Sequence, residues 1–153
     1  PEIITLLVKK QHTLATAESC TGGMIGEYIT NFAGASSVYL GGIIAYHNQI
    51  KKQLLQVPDS VLKEHGAVSE LTALYMAKGA QQMLKSTWAI SVTGIAGPGG
   101  GTINKPVGTI CLGLATPEKI ITKTLVFINQ NRQENRKSAS TAILDWLFTE
   151  LSS

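Results

Sequence analysis

Short apolar runs alternating with amphipathic stretches constrain this chain more than any other feature. The runs at 13–17 (TLATA), 38–46 (VYLGGIIAY), 88–93 (WAISVT), 107–115 (VGTICLGLA) and 120–128 (IITKTLVFI) have the length and β-branched content of strands. Between them lie segments with helical spacing. Residues 2–10 (EIITLLVKK) form a short amphipathic helix, and a second helix runs from about Gly22 to Phe32. Asn48 is placed to cap a helix carrying Ile50, Leu54 and Leu55, which stops before Val57-Pro58. A short helix is predicted from Asp59 to Glu64. Ser69 is placed to cap a long helix to about Leu84, with Leu71, Leu74, Tyr75 and Met83 on one face. In the last helix, from about Arg132 to Leu151, Ala139, Ile143, Leu147 and Leu151 recur every fourth residue. Pro117-Glu118-Lys119 is short enough to join the last two strands as a hairpin, so the sheet must be mixed. The pattern is that of an α/β protein with helices packed on a central sheet.

The 153 residues suit one domain, 1–153. Hydrophobic residues make up 44% and charged residues 15%, which fits a buried core and excludes a disordered chain. No apolar stretch is long enough for a membrane span, and the N-terminus has no signal-peptide pattern. The only cysteines, Cys20 and Cys111, make no disulfide framework, so a cytoplasmic location is expected. The net charge of +3 favours anionic ligands but gives no basic stripe for nucleic acid. Histidines occur only at His12, His47 and His65, aspartates only at Asp59 and Asp145, and no metal-ligand motif is present. No metal and no cofactor are expected.

Three places can carry chemistry. The turn Ala17-Glu18-Ser19-Cys20-Thr21-Gly22-Gly23 follows a strand and opens a helix, where unpaired N–H groups attract anions. The loop Thr93-Gly94-Ile95-Ala96-Gly97-Pro98-Gly99-Gly100-Gly101 also follows a strand and can present amides to a phosphate or a carbonyl oxygen. Its spacing is not a dinucleotide fingerprint. The third group is Ser36, Ser37, Tyr46 and Lys51, with Lys51 in a first helical turn, where the helix terminus and burial would both lower its pKa. Arg132 and Arg136, one turn apart, can reach a phosphate together. Each place also fits a plain structural use: a capping turn, a surface loop, a solvated lysine and a solvated helix face.

Taken together, these motifs resemble one family. Thr16-Ala17-Glu18-Ser19-Cys20-Thr21-Gly22-Gly23 is similar to its first signature. Gly34-Ala35-Ser36-Ser37 followed by Gly41-Gly42, Tyr46, Asn48 and Lys51 is similar to its second. His65-Gly66-Ala67-Val68-Ser69-Glu70 resembles the third, and Thr93-Gly94-Ile95-Ala96-Gly97-Pro98 through Lys105-Pro106-Val107-Gly108-Thr109 the fourth. Arg132 and Arg136 fit the basic positions on its last helix. The family is the CinA C-terminal domain, also called nicotinamide-nucleotide amidohydrolase. The resemblance implies a three-layer α/β/α sandwich and hydrolysis of nicotinamide mononucleotide to nicotinic acid mononucleotide and ammonia. It implies Ser36 as nucleophile, Lys51 as its base and Tyr46 assisting proton transfer, with Ser19 the second choice for nucleophile. Thr21, Gly22, Gly23, Thr93, Gly94, Gly97, Gly99, Arg132 and Arg136 are the expected substrate-binding residues. Longer CinA proteins carry an additional N-terminal domain, and this chain resembles the stand-alone form. The expected partners are a nucleotide substrate and a second copy of the chain as a dimer, with no nucleic acid and no membrane. The competing reading is a non-catalytic nucleotide-binding module tied to competence or DNA damage.

Overall fold

A computed structural model describes residues 1–153. In chain order the elements are α1 (Glu2–Lys10), β1 (Leu14–Glu18), α2 (Met24–Thr30), a 3-10 turn (Ala35–Ser37), β2 (Tyr39–Ile44), α3 (Asn48–Leu55), α4 (Asp59–His65), α5 (Glu70–Leu84), β3 (Trp88–Gly94), β4 (Thr109–Ala115), β5 (Ile120–Val126) and α6 (Arg132–Ser152). The five strands form one sheet in the order β2-β1-β3-β4-β5. β2, β1 and β3 run parallel, β4 pairs antiparallel with β3, and β5 pairs antiparallel with β4, so the sheet is mixed as the short 117–119 connection requires.

Strand alternation assigns the two faces. Leu14, Ile90, Val92, Ile110, Leu112 and Leu114 face α1, α2 and α6, packing with Leu7, Ile25, Ala139, Ile143 and Leu147. The opposite face is built of small residues, Ala15, Ala17, Ala89 and Ala115, packed with Leu55, Met76, Ala77 and Ala80 from α3 and α5. Small residues let α5 lie close to the sheet. A Cβ on Gly113 would come within 2.4 Å of the Ala73 carbonyl oxygen, and Ser91 donates to that same oxygen at 2.6 Å. Helices thus cover both faces, as in an α/β/α sandwich.

β2 is an edge strand, and its pairing with β1 is irregular at one point. Leu14 opposes Tyr39 but Ala15 opposes Gly41, so Leu40 is an extra residue. Beyond it the register runs evenly to Glu18 opposite Ile44.

Several boundaries differ from expectation. α2 starts at Met24 rather than Gly22, because Gly22 and Gly23 adopt φ values of +60° and +107°, outside the helical range. The cap of α3 is His47, whose Nδ1 accepts from the Gln49 amide at 3.1 Å, and Asn48 becomes the first helical residue. The Ser69 cap is where the sequence put it, accepting from Thr72 N. Asn131 and Glu134 close a capping box at the start of α6.

Candidate active site

The chain leaves β1 toward α2 on one face and β2 toward α3 on the other. A crevice therefore opens beyond the carboxyl ends of the parallel strands, the usual ligand position in such sheets. It holds a cavity of about 230 Å³ whose lining includes Ser19, Cys20, Lys51, Thr93 and Arg132.

Lys51 is the buried cation of this crevice. It lies in the first turn of α3, is 1% exposed, and has no carboxylate partner. Its Nζ is 3.0 Å from Ser19 Oγ, 2.9 Å from the Ala45 carbonyl oxygen and 3.2 Å from the Tyr46 carbonyl oxygen. Burial lowers its pKa from 10.5 to about 8, against a weak opposing pull from the Cys20 thiol. A neutral amine has two hydrogens and one lone pair. As the ammonium, Lys51 donates to all three oxygens; once deprotonated, with the two carbonyls taking its hydrogens, it would turn its lone pair to the Ser19 hydroxyl. The arrangement sets a serine hydroxyl against a buried amine with a lowered pKa.

Ser36, the first-choice nucleophile, is elsewhere. It is exposed in the turn before β2, whereas Lys51 follows the far end of that strand. Six residues of strand separate the two ends by roughly 20 Å. Ser36 borders a larger cavity of about 410 Å³, with Phe32 and Tyr39 but no base. Ser19, the second choice, is the serine that the fold brings to Lys51. Cys20 beside it is held as the thiol, because burial pushes its pKa up to about 11 despite the nearby Arg136 and Lys51 charges.

The Ser19 turn is not an open anion site either. The Glu18 carboxylate already occupies the N-terminus of α2, accepting from the amides of Gly23, Ile25 and Gly26 and from the Thr21 hydroxyl. Thr21, Gly22 and Gly23 thus serve the turn itself. Arg136 is also engaged, donating to the carbonyl oxygens of Cys20 and Thr21 at 2.9 Å each. Cys20, which follows Ser19, lines the cavity, and its amide donates to no oxygen of the chain.

Arg132 remains at the mouth. Its guanidinium donates to the Gly97 carbonyl oxygen at 2.8 Å and to the Tyr46 hydroxyl at 2.9 Å. Tyr46 therefore gives Lys51 its carbonyl oxygen and gives Arg132 its phenol. Asn135 donates to the Ala96 carbonyl oxygen at 2.9 Å, so α6 holds the glycine loop at two points. Thr93 and Gly94 line the cavity, with the Thr93 hydroxyl donated to the Ala67 carbonyl oxygen. A Cβ at Gly99 would meet nothing within 4 Å, so the loop is open there. No three side chains of metal-ligating type come together.

Residues 1–151 match the CinA C-terminal domain. The chain belongs to that family. It is 44% identical over 146 residues to a CinA-like protein of Prochlorococcus marinus (strain NATL2A), a match covering 95% of this chain and 34% of the relative. A CinA-like protein of Synechococcus sp. (strain CC9902) is 52% identical over 116 residues, 76% of this chain and 28% of that one. The chain spans about a third or less of the length of these curated relatives. A solved structure of competence/damage inducible protein CihA from Agrobacterium tumefaciens superposes with a TM-score of 0.92 at 35% identity. That match covers 100% of this chain and 97% of the other. The CinA superfamily protein of Klebsiella pneumoniae 700603 gives 0.94 at 28% identity, covering 99% and 94%. An open α/β fold with a mixed five-stranded sheet is thus shared across the superfamily.

Glu18, Cys20, Ala96 and Asn135 were not singled out as site residues in the sequence. Only Glu18 carried a signal: a carboxylate ending a buried strand, immediately before a helix start.

Proposed function

We propose that the protein is an amidohydrolase that removes ammonia from the carboxamide of nicotinamide mononucleotide. The observation that carries this reading is the 3.0 Å contact between Lys51 Nζ and Ser19 Oγ inside the crevice. The substrate rests on the family resemblance and on a cationic mouth at Arg132.

Neutral Lys51 takes the Ser19 proton as Oγ attacks the carboxamide carbon. The carbonyl π electrons move onto oxygen, and the Cys20 amide, which no oxygen of the chain takes, is the donor assigned to that oxyanion. The tetrahedral adduct collapses, the C–N bond breaks, and the leaving nitrogen takes the proton from Lys51 and departs as ammonia. An ester to Ser19 remains. Lys51, neutral again, deprotonates a water that attacks this ester, and the proton returns to Ser19 as nicotinic acid mononucleotide leaves. The 5′-phosphate is assigned to Arg132, which lines the cavity, whereas Arg136 does not.

The test is ammonia release by the purified protein, coupled to mass detection of nicotinic acid mononucleotide. Turnover by wild type that disappears in Ser19→Ala supports the reading. No ammonia at micromolar enzyme overturns it and leaves a nucleotide-binding module.

A further inference from the structure

Glu18 and Arg136 are the two charged groups at the site that touch neither the cavity nor each other. Glu18 is 2% exposed, and every hydrogen bond of its carboxylate is to the Ser19–Gly26 segment that follows it. Both its oxygens face donors only. Arg136 approaches the same turn from α6 and takes two successive carbonyl oxygens, those of Cys20 and Thr21, with its Nε and Nη2. No salt bridge joins the two side chains. One charge therefore holds the N–H side of the turn and the other its carbonyl side.

This division fixes peptide orientation. In a trans peptide the C=O and N–H point in opposite directions. The Ser19 carbonyl oxygen accepts from Gly22 N at 3.1 Å, which directs the Cys20 N–H the other way. Arg136 holds the next carbonyl, and Glu18 holds Thr21, Gly23, Ile25 and Gly26. The carbonyl oxygens on both sides of this turn are thus held, while the N–H groups of Cys20 and Thr21 meet no oxygen of the chain. Gly22 lies under the guanidinium, and a Cβ there would sit 3.4 Å from Nη2.

We propose that Glu18 and Arg136 are positioning residues, an opposite-charge clamp that holds Ser19 Oγ on Lys51 and keeps the Cys20 amide aimed at the developing oxyanion. The inference rests on the Ser19–Lys51 reading above. It assigns Arg136 to the nucleophile turn rather than to substrate phosphate.

The experiment combines steady-state turnover with covalent labelling of Ser19 by phenylmethanesulfonyl fluoride, followed by mass spectrometry. Arg136→Met and Glu18→Gln should each lower kcat and the labelling rate by about 10²-fold, the usual effect of a misplaced reacting group, while KM changes little. Arg136→Lys, which can hold one carbonyl, should recover part of both. Thr21→Val removes a single bond to Glu18, folds without loss of bulk, and should show the same pattern in weaker form. Ile143→Val supplies the control, because this core substitution lowers the melting temperature without touching the turn and should keep wild-type kcat. A rise in KM at constant kcat in Arg136→Met would overturn the clamp and make Arg136 a substrate ligand. Labelling that follows melting temperature alone across all variants, Ile143→Val included, would make the role merely structural. Failure of wild type to label at Ser19 would instead overturn the Ser19–Lys51 reading itself.

Discussion

The pH dependence of turnover is the most direct probe of Lys51. Only the neutral amine can take the Ser19 proton, so the rate follows the deprotonated fraction. With burial placing the pKa at about 8, that fraction is roughly 1% at pH 6 and one half at pH 8. The value of kcat/KM should therefore climb about fifty-fold over this interval and level off above it. Lys51→Arg should be inactive throughout, because a guanidinium hardly deprotonates in proteins.

The same burial has a stability cost of known sign. The folded protein binds this proton more weakly than the unfolded chain does, so the penalty is fully present below pH 8 and is lost between pH 8 and 10.5. Its size is on the order of 3 kcal/mol. Lys51→Met removes that penalty but deprives the Ala45 and Tyr46 carbonyls of a donor, which costs back about 1–3 kcal/mol. The variant should thus be inactive yet melt no lower than wild type at pH 7. Its advantage should shrink as pH approaches 10. Stopped-assay pH profiles and calorimetry on the same preparations measure both effects. A flat rate profile from pH 6 to 8, or a well-folded Lys51→Arg enzyme at near-normal kcat, refutes the general-base argument.

Other expectations concern single contacts. Ser19→Ala should abolish ammonia release, whereas Ser36→Ala, altering an exposed residue at the far end of β2, should leave kcat near wild type in the same assay. Arg132→Ala should weaken nicotinamide mononucleotide binding by about 1.5–3 kcal/mol while barely affecting nicotinamide riboside, as read from the ratio of kcat/KM values. Gly79→Ala should lower the melting temperature by several degrees, because the new Cβ would lie 2.1 Å from the Leu55 carbonyl oxygen and force α3 away from α5. Since α3 carries Lys51, kcat should fall with it. Exhaustive chelation should leave turnover unchanged, because the dyad supplies both nucleophile and base.

The sheet and the helical layers were legible because alternation and four-residue spacing report directly on burial. The 13–17 run became β1 with a shift of one residue, and the stripe Ala139, Ile143, Leu147, Leu151 is fully or almost fully buried. The place of Lys51 in a first helical turn was legible. Its partner was not, because Ser19 and Ser36 both sit near helix starts in glycine-rich signatures, and spacing carries no information on which end of a strand a residue occupies once the fold closes. Topology settles that point: the crevice lies where β1 and β2 end, and Ser36 lies where β2 begins. The roles of Glu18 and Arg136 were hidden for a related reason. An arginine one helical turn from another looks like a phosphate contact in sequence, and only the hydrogen bonds show Arg136 and Glu18 turned on the backbone.

The extra residue at Leu40 gives β2 a point of slack between its two ends. Pairing with β1 is already back in phase at Gly41, four residues before the Ala45 carbonyl that holds Lys51. Changes of length or shape around Ser36 can be taken up at this kink before they reach the amine. The loop before β2 is thereby mechanically insulated from the loop after it, and the chain can vary the first without retuning the second.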